Sequence, residues 1–216
     1  VPSRAMREVL ERYGVRTTMR VIPTGMPLDA FQEGDREAFR VRHGIAVDQP
    51  TLVFVGRVAF EKNIEFLLEV VRALKQTSHP DIVLIVAGEG PAEGRLHRLA
   101  GELGVRDNLR FVGYLARGTD LASCYQAGEA FVFASRTETQ GLVLLEAMSL
   151  GVPVVSTAVM GTRDILAAGK GALVAEEEVS DFAAQVRRVL DDAALRRRLS
   201  QEAREYARHW TAEGPA

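Results

Sequence analysis

Glu138 and Glu146, eight residues apart, bracket Gly141 in the segment Thr137-Glu138-Thr139-Gln140-Gly141-Leu142-Val143-Leu144-Leu145-Glu146-Ala147-Met148. The preceding run Glu129-Ala130-Phe131-Val132-Phe133-Ala134 reads as a buried strand, which makes 135–140 the loop at its C-terminal end and puts Gly141 at a helix start. Unpaired amides and the positive end of a helix dipole suit a phosphate there. Glu146 falls between one and two turns into the helix, where its two oxygens can accept both hydroxyls of a ribose. Glu138 stays on the loop, free to face whatever is attached beyond the phosphates. The spacing therefore suggests a site for a sugar nucleotide. Two plainer readings compete: Thr137 and Gln140 have the spacing of a capping box, which would leave Glu138 solvated, and Glu146 could pair with a neighbouring basic residue.

The first strand ends in Gly56-Arg57, and a short loop leads to Lys62-Asn63 at a helix start. Arg57 and Lys62 thus flank the same end of the sheet as Gly141. Two cations beside a helix N-terminus make a diphosphate clamp, with a pair of exposed surface cations as the alternative. The second strand ends in Gly88-Glu89-Gly90-Pro91-Ala92-Glu93-Gly94, outwardly a dinucleotide loop. That loop follows the second strand of the series, no acidic residue ends the next strand, and Pro91 lacks an amide where pyrophosphate would need one. A nicotinamide or flavin role is thereby disfavoured, and tight strand-to-helix packing better accounts for the glycines. His43, His79, His97 and His209 show no metal spacing, and no Ser/His/Asp arrangement can be assembled.

The elements that must position these residues are legible as alternation. Strand-like runs at 51–56, 81–87, 109–112, 129–133, 152–157 and 172–174 are each followed by a helical pattern, at 63–76, 91–103, 118–126, 141–150, 162–167 and 179–190. Six βα units in series predict an α/β fold, a doubly wound, Rossmann-like parallel sheet whose ligand sits at the carboxyl ends of the strands. Ahead of the 51–190 core lie a helix over 3–13, a short strand Arg20-Val21-Ile22 and a turn Pro23-Thr24-Gly25-Met26-Pro27. Residues 1–45 read as a domain-joining segment. Residues 191–216 read as C-terminal helices with a polar tail at 211–216, the last helix fraying or packing on something outside this chain.

The 216 residues favour one large domain. Apolar residues make up 47% and charged residues 26%, which suits a soluble protein with a substantial core, and a net charge of -2 gives no reason to expect a nucleic-acid partner. The single cysteine, Cys124, cannot form an internal disulfide and reads as a buried thiol in a reducing compartment. No apolar run approaches the roughly 20 residues needed to cross a bilayer. The start, Val1-Pro2-Ser3-Arg4, reads as a proline-capped helix without signal character, and the lack of an initiating methionine suggests a piece of a longer chain.

With these residues in view, the chain resembles the C-terminal, donor-binding half of retaining glycosyltransferases of GT-B fold, the large group of glycogen synthases, sucrose synthases and bacterial mannosyl- and glucosyltransferases. The resemblance runs nearly end to end, from Val1-Pro2-Ser3 and Val21-Ile22-Pro23-Thr24-Gly25-Met26 through Gly56-Arg57, Glu61-Lys62-Asn63, Val86-Ala87-Gly88-Glu89-Gly90-Pro91 and Phe111-Val112-Gly113-Tyr114 to the paired glutamates and Gly151-Val152-Pro153-Val154-Val155. It implies that Arg57 and Lys62 hold the donor diphosphate, that Gly141, Leu142 and Val143 add amide donors, that Glu146 binds the ribose, and that Tyr114 and Leu115 touch the nucleobase. Glu138 would contact hydroxyls of the transferred sugar without acting as a nucleophile, because a front-face route through a short-lived oxocarbenium-like pair is usually proposed. No cofactor or divalent metal is implied.

The implied function is transfer of a hexose from a UDP-, GDP- or ADP-sugar to an acceptor hydroxyl with retention, completed by an N-terminal acceptor domain absent here. Ile22-Pro23-Thr24-Gly25 together with Thr139-Gln140-Gly141 is similar to bacterial enzymes that glucosylate diacylglycerol, which implies a lipid acceptor and peripheral contact at the inner membrane face of a cytoplasmic protein. Two departures stand out: Asp164 replaces a common glutamate, and Gln140 replaces a frequent aromatic residue, leaving the donor sugar open. A GT-B-like sugar-nucleotide epimerase and a non-catalytic nucleotide-binding module remain as alternatives.

Overall fold

The computed structural model describes residues 1–26 and 34–210. Six strands, β1 (Thr51–Val55), β2 (Val83–Ala87), β3 (Leu109–Gly113), β4 (Ala130–Phe133), β5 (Val154–Ser156) and β6 (Ala172–Val174), form one sheet in the order β3-β2-β1-β4-β5-β6. Every pairing is parallel. Strands β1, β2, β4 and β5 are buried along their whole length, as continuous Val, Leu, Ile and Phe runs require when helices cover both faces. Each fully buried Leu or Phe, such as Leu68 or Phe54, contributes about 1.5–3 kcal/mol relative to exposure. The expected doubly wound α/β sheet is the observed one.

The chain leaves β1 toward β2 on one side, whereas β4 lies on the other side of β1. The loops at the carboxyl ends of β1 and β4 therefore diverge and open a crevice between them. Helices α3 (Ile64–Thr77), α4 (Glu93–Glu102), α5 (Thr119–Ala127), α6 (Leu142–Ser149) and α7 (Thr162–Leu166) make the crossovers, and α8 (Val179–Asp191) and α9 (Ala193–Ala207) follow β6. Helix α1 (Arg4–Arg12) begins at Ser3, whose hydroxyl caps the Met6 amide.

Three expectations change. Helix α2 (Arg36–Arg42), capped by Asp35, was not foreseen; it buries Phe39 and Arg40 and packs on α5. No strand forms at Arg20-Val21-Ile22, because the segment meets no sheet edge. Among the described residues its pairing is limited to Val1, whose N-terminus donates to the Arg20 carbonyl at 2.8 Å and whose carbonyl accepts from the Ile22 amide at 2.8 Å, and Pro23 then offers no donor. Helix α9 packs within the fold, burying Leu195, Leu199, Ala203 and Ala207 with α6 among its neighbours, and does not fray. Past it, the Met26 amide donates to the Trp210 carbonyl at 2.8 Å, joining the segment ahead of the βα core to the turn after α9. Pro27 of the expected turn and the tail at 211–216 lie outside the described residues.

Candidate functional site

The loops after β1, β2 and β3 are laced by backbone bonds: the Gly56 amide donates to Ala87, Val58 to Glu89, Ala92 back to Val58, and Gly88 to Gly113, at 2.8 to 3.1 Å. A methyl group on Gly88, whose φ is +133°, would fall 1.9 Å from the Gly56 carbonyl oxygen, and one on Gly90 would fall 2.2 Å from that of Val58. These two glycines let backbone pass backbone between neighbouring loops, a tighter use than strand-to-helix packing. The same lacing fixes the base of Arg57, whose exposed guanidinium has no partner among the described residues.

Lys62 ends a 3-10 turn, Phe60–Lys62, and Asn63 takes a left-handed conformation, φ 56°, before α3 begins. The Lys62 Nζ lies 2.9 Å from Glu138 Oε2, with both side chains more than four-fifths buried, and 5.8 Å from the centroid of the Phe133 ring. Glu138 is thus neither free nor solvated, the two readings the sequence had left open; it neutralises Lys62 and ties the β4 loop to the β1 loop. Arg136 adds a second tie through its amide to the Glu61 carbonyl at 3.0 Å, and the Gly161 amide donates to the Glu138 carbonyl at 2.8 Å.

Gly141 caps α6 with φ 90° and no side-chain acceptor, so no capping box forms. Gln140 has turned away: its Oε1 accepts from the Thr24 amide at 3.0 Å and its Nε2 donates to the Thr24 carbonyl at 2.9 Å. It is buried, with its whole amide spent on Thr24. Close by, the Ser3 hydroxyl donates to the Thr139 carbonyl at 2.6 Å, and Asp164 accepts from the Arg4 amide at 2.7 Å.

Glu146 stands in α6 with its side chain only 6% exposed. Its Oε1 pairs with Arg117 at 3.2 Å and its Oε2 accepts from the Tyr125 hydroxyl at 2.8 Å. The ion pair that competed with the ribose reading is therefore formed. It leaves two of the four carboxylate lone-pair directions for other donors. Burial first, then the adjacent carboxylate, pushes the Tyr125 hydroxyl well above its ordinary 10, so it remains a donor. Neither partner was read from the sequence; the available signal was a tyrosine in an otherwise buried helix, whose hydroxyl must find a mate.

A cavity of about 550 Å³ at the carboxyl ends of β1 to β3 is lined by Arg57, Tyr114, Leu115, Val143 and Glu146 together with Gly88, Glu89 and Arg117. Lys62, Glu138, Gly141 and Leu142 do not line it; they sit at the adjoining mouth of β1 and β4, with Val143 linking the two groups. A larger groove of about 770 Å³ at the opposite end of the sheet is lined by Arg36, Arg196, Arg197 and Arg204. There Arg36 holds the Gln126 carbonyl and Arg196 the Val189 and Leu190 carbonyls, so these two arginines serve as helix-end caps.

Residues 35–206 match the family described as Glycosyl transferases group 1. The chain is 39% identical over 212 residues, 93% of its length and 46% of the relative's, to a D-inositol 3-phosphate glycosyltransferase of Geodermatophilus obscurus. It is 35% identical over 160 residues, 72% of its length and 36% of the relative's, to an alpha-monoglucosyldiacylglycerol synthase of Streptococcus pneumoniae. Among solved structures, a sucrose-phosphate synthase from Thermosynechococcus elongatus superimposes with a TM-score of 0.86 at 28% identity, over 99% of this chain and 54% of that one. The chain spans about half the length of the curated relatives it matches, or less. Among the described residues no helix is long and apolar enough to cross a membrane.

Proposed function

Because this chain belongs to the glycosyl transferases group 1 family, we propose that it is the donor-binding half of a retaining GT-B hexosyltransferase, which takes its sugar from a UDP-, GDP- or ADP-sugar. The observation that carries the reading is the gathering of Arg57, Tyr114, Leu115, Val143 and Glu146 around one cavity, with Lys62 and Glu138 paired on the loops after β1 and β4. Arg57 meets the diphosphate with an unshared charge. Lys62 joins it as Glu138 turns toward the hydroxyls of the transferred sugar, and the uncapped amides after Gly141 complete the anion site. Charge that builds on the phosphate as the sugar bond breaks is met by groups already in place. Glu146 takes the ribose, Tyr114 and Leu115 the base, and no metal enters the scheme. Glu138 remains an electrostatic and positioning partner of an oxocarbenium-like centre attacked from the departing phosphate's side.

An N-terminal domain of the same chain would supply the acceptor and exclude water on closure. The likeness to the pneumococcal synthase supports a lipid acceptor such as diacylglycerol, with peripheral contact at the inner face of the membrane. The likeness to the inositol-phosphate enzyme supports a second reading, a phosphorylated polyol as acceptor. Calorimetry of this chain with UDP, GDP, ADP and NAD tests the donor site. One nucleoside diphosphate should bind, with affinity lost in Arg57→Ala and Glu146→Ala. Tight NAD binding that neither change weakens would refute it. Sugar transfer by the full-length enzyme to diacylglycerol or to inositol phosphate separates the two acceptors.

A further inference from the structure

The carboxylate of Glu146 is held asymmetrically. Its Oε2 faces inward to the hydroxyl of Tyr125, a fully buried residue on α5 whose ring packs against Phe131 with centroids 5.5 Å apart. Its Oε1 faces Arg117, whose side chain is 63% exposed on the loop after β3 and lines the same cavity. The inner bond is shielded from water and geometrically fixed by packing. The outer one is open to solvent and to exchange with a ligand hydroxyl. A nearly buried carboxylate with one oxygen locked has its free lone pairs set in direction before anything binds, which removes ordering that binding would otherwise have to impose.

We propose that Tyr125 is a positioning residue of the nucleotide site: its hydroxyl locks Glu146 so that the carboxylate addresses the vicinal 2′- and 3′-hydroxyls of a ribonucleoside diphosphate, with Arg117 as the exchangeable partner. This deepens the donor-site reading and rests on it. It adds a residue that touches neither ribose nor phosphate yet governs discrimination for the diol. It also separates two recognition functions within one cavity: phosphate through Arg57, and sugar hydroxyls through the coupled Tyr125 and Glu146.

The test is calorimetry of this chain with UDP, GDP and ADP, with the 2′,3′-dideoxy counterpart of whichever binds, and with pyrophosphate. Tyr125→Phe keeps the ring and its packing. It should lower affinity for the ribonucleoside diphosphate by about tenfold, as expected for one hydrogen bond to a charged group. Affinity for the dideoxy compound and for pyrophosphate should be unchanged, and in a Glu146→Ala background Tyr125→Phe should cause no further loss. An equal loss for ribo and dideoxy compounds would mark Tyr125 as merely structural and overturn the proposal, as would no loss at all. A measurement without substitution stands beside it: the buried Tyr125 hydroxyl proton of the native chain should shift in NMR spectra on addition of the ribonucleoside diphosphate and not of pyrophosphate. A resonance unmoved by both would also overturn the proposal. If neither a nucleoside diphosphate nor pyrophosphate binds the native chain, the donor-site reading itself fails and takes this inference with it.

Discussion

Gln140 pairs its whole amide with the backbone of Thr24, donating to the carbonyl at 2.9 Å and accepting from the amide at 3.0 Å. The residue between Gly141 and Thr139 thereby staples the 1–26 segment to the loop after β4, helped by Ser3 and Arg4. Gln140→Leu should destabilise the chain by about 1–2 kcal/mol, the usual result of leaving half-buried backbone groups unpaired. Gln140→Glu should be worse at neutral pH, because a second acceptor then faces the Thr24 carbonyl, and should recover as acid protonates it. Urea denaturation at two pH values checks both; equal stability of all three chains would show the pairing to be idle.

Glu138 pairs with Lys62 at 2.9 Å, and on the proposed donor-site reading it competes with phosphate for that cation. Glu138→Gln should therefore raise the affinity of the chain for pyrophosphate by roughly two- to fivefold, the size of a partly exposed ion pair, while sugar transfer by the full-length enzyme falls. Titration with pyrophosphate is the measurement, and weaker binding in the variant would mean that Lys62 faces its glutamate and no ligand.

Gly88→Ala and Gly90→Ala should each lower stability by about 2–3 kcal/mol or more, since neither the Gly56 nor the Val58 carbonyl can yield to a new methyl group. Thermal unfolding of the two variants decides the point. Nucleotide binding without NAD binding in the native chain would further separate this packing role from a dinucleotide loop.

Cys124 is fully buried, and burial pushes its thiol up to about 12. A thiolate-selective reagent such as dithionitrobenzoate should leave the native chain unlabelled for hours and react at once in denaturant. Prompt labelling of the folded chain would contradict the packing of α5.

His43 is held below its ordinary 6.5 by burial first and then by Arg42 and Arg110. Below that value the unfolded chain takes up the proton more readily than the folded one. Stability should therefore fall as pH drops from 6.5 through the lowered value, and the slope should flatten in His43→Gln. NMR titration of the ring protons gives the sign directly; a midpoint above 6.5 would reverse it.

The six βα units were legible because strands covered on both faces must be apolar throughout, and their ends fix where Arg57, Glu138 and Glu146 stand along the chain. Helix α2 was not, because its buried face includes Arg40, a charged residue at an inward position. Arg40 is satisfied by the Ala46 and Ala127 carbonyls and by Glu129, partners that periodicity does not reveal. The pairings that shape the site were hidden for the same reason. Lys62 and Glu138 lie 76 positions apart, Thr24 and Gln140 lie 116 apart, and Tyr125 and Glu146 lie 21 apart. Spacing along a chain places a residue on an element, but which loop it then meets depends on strand order.

The bond from the Met26 amide to the Trp210 carbonyl brings the approach to the βα core and the turn after its last helix to one point on the rim. A cassette cut at those two positions would present adjoining ends, a span that a tight surface turn of an unrelated host can bridge. Grafting it there would carry the cavity lining from Val55 to Glu146 into the host while leaving behind the Ser3 and Thr24 bonds to Thr139 and Gln140.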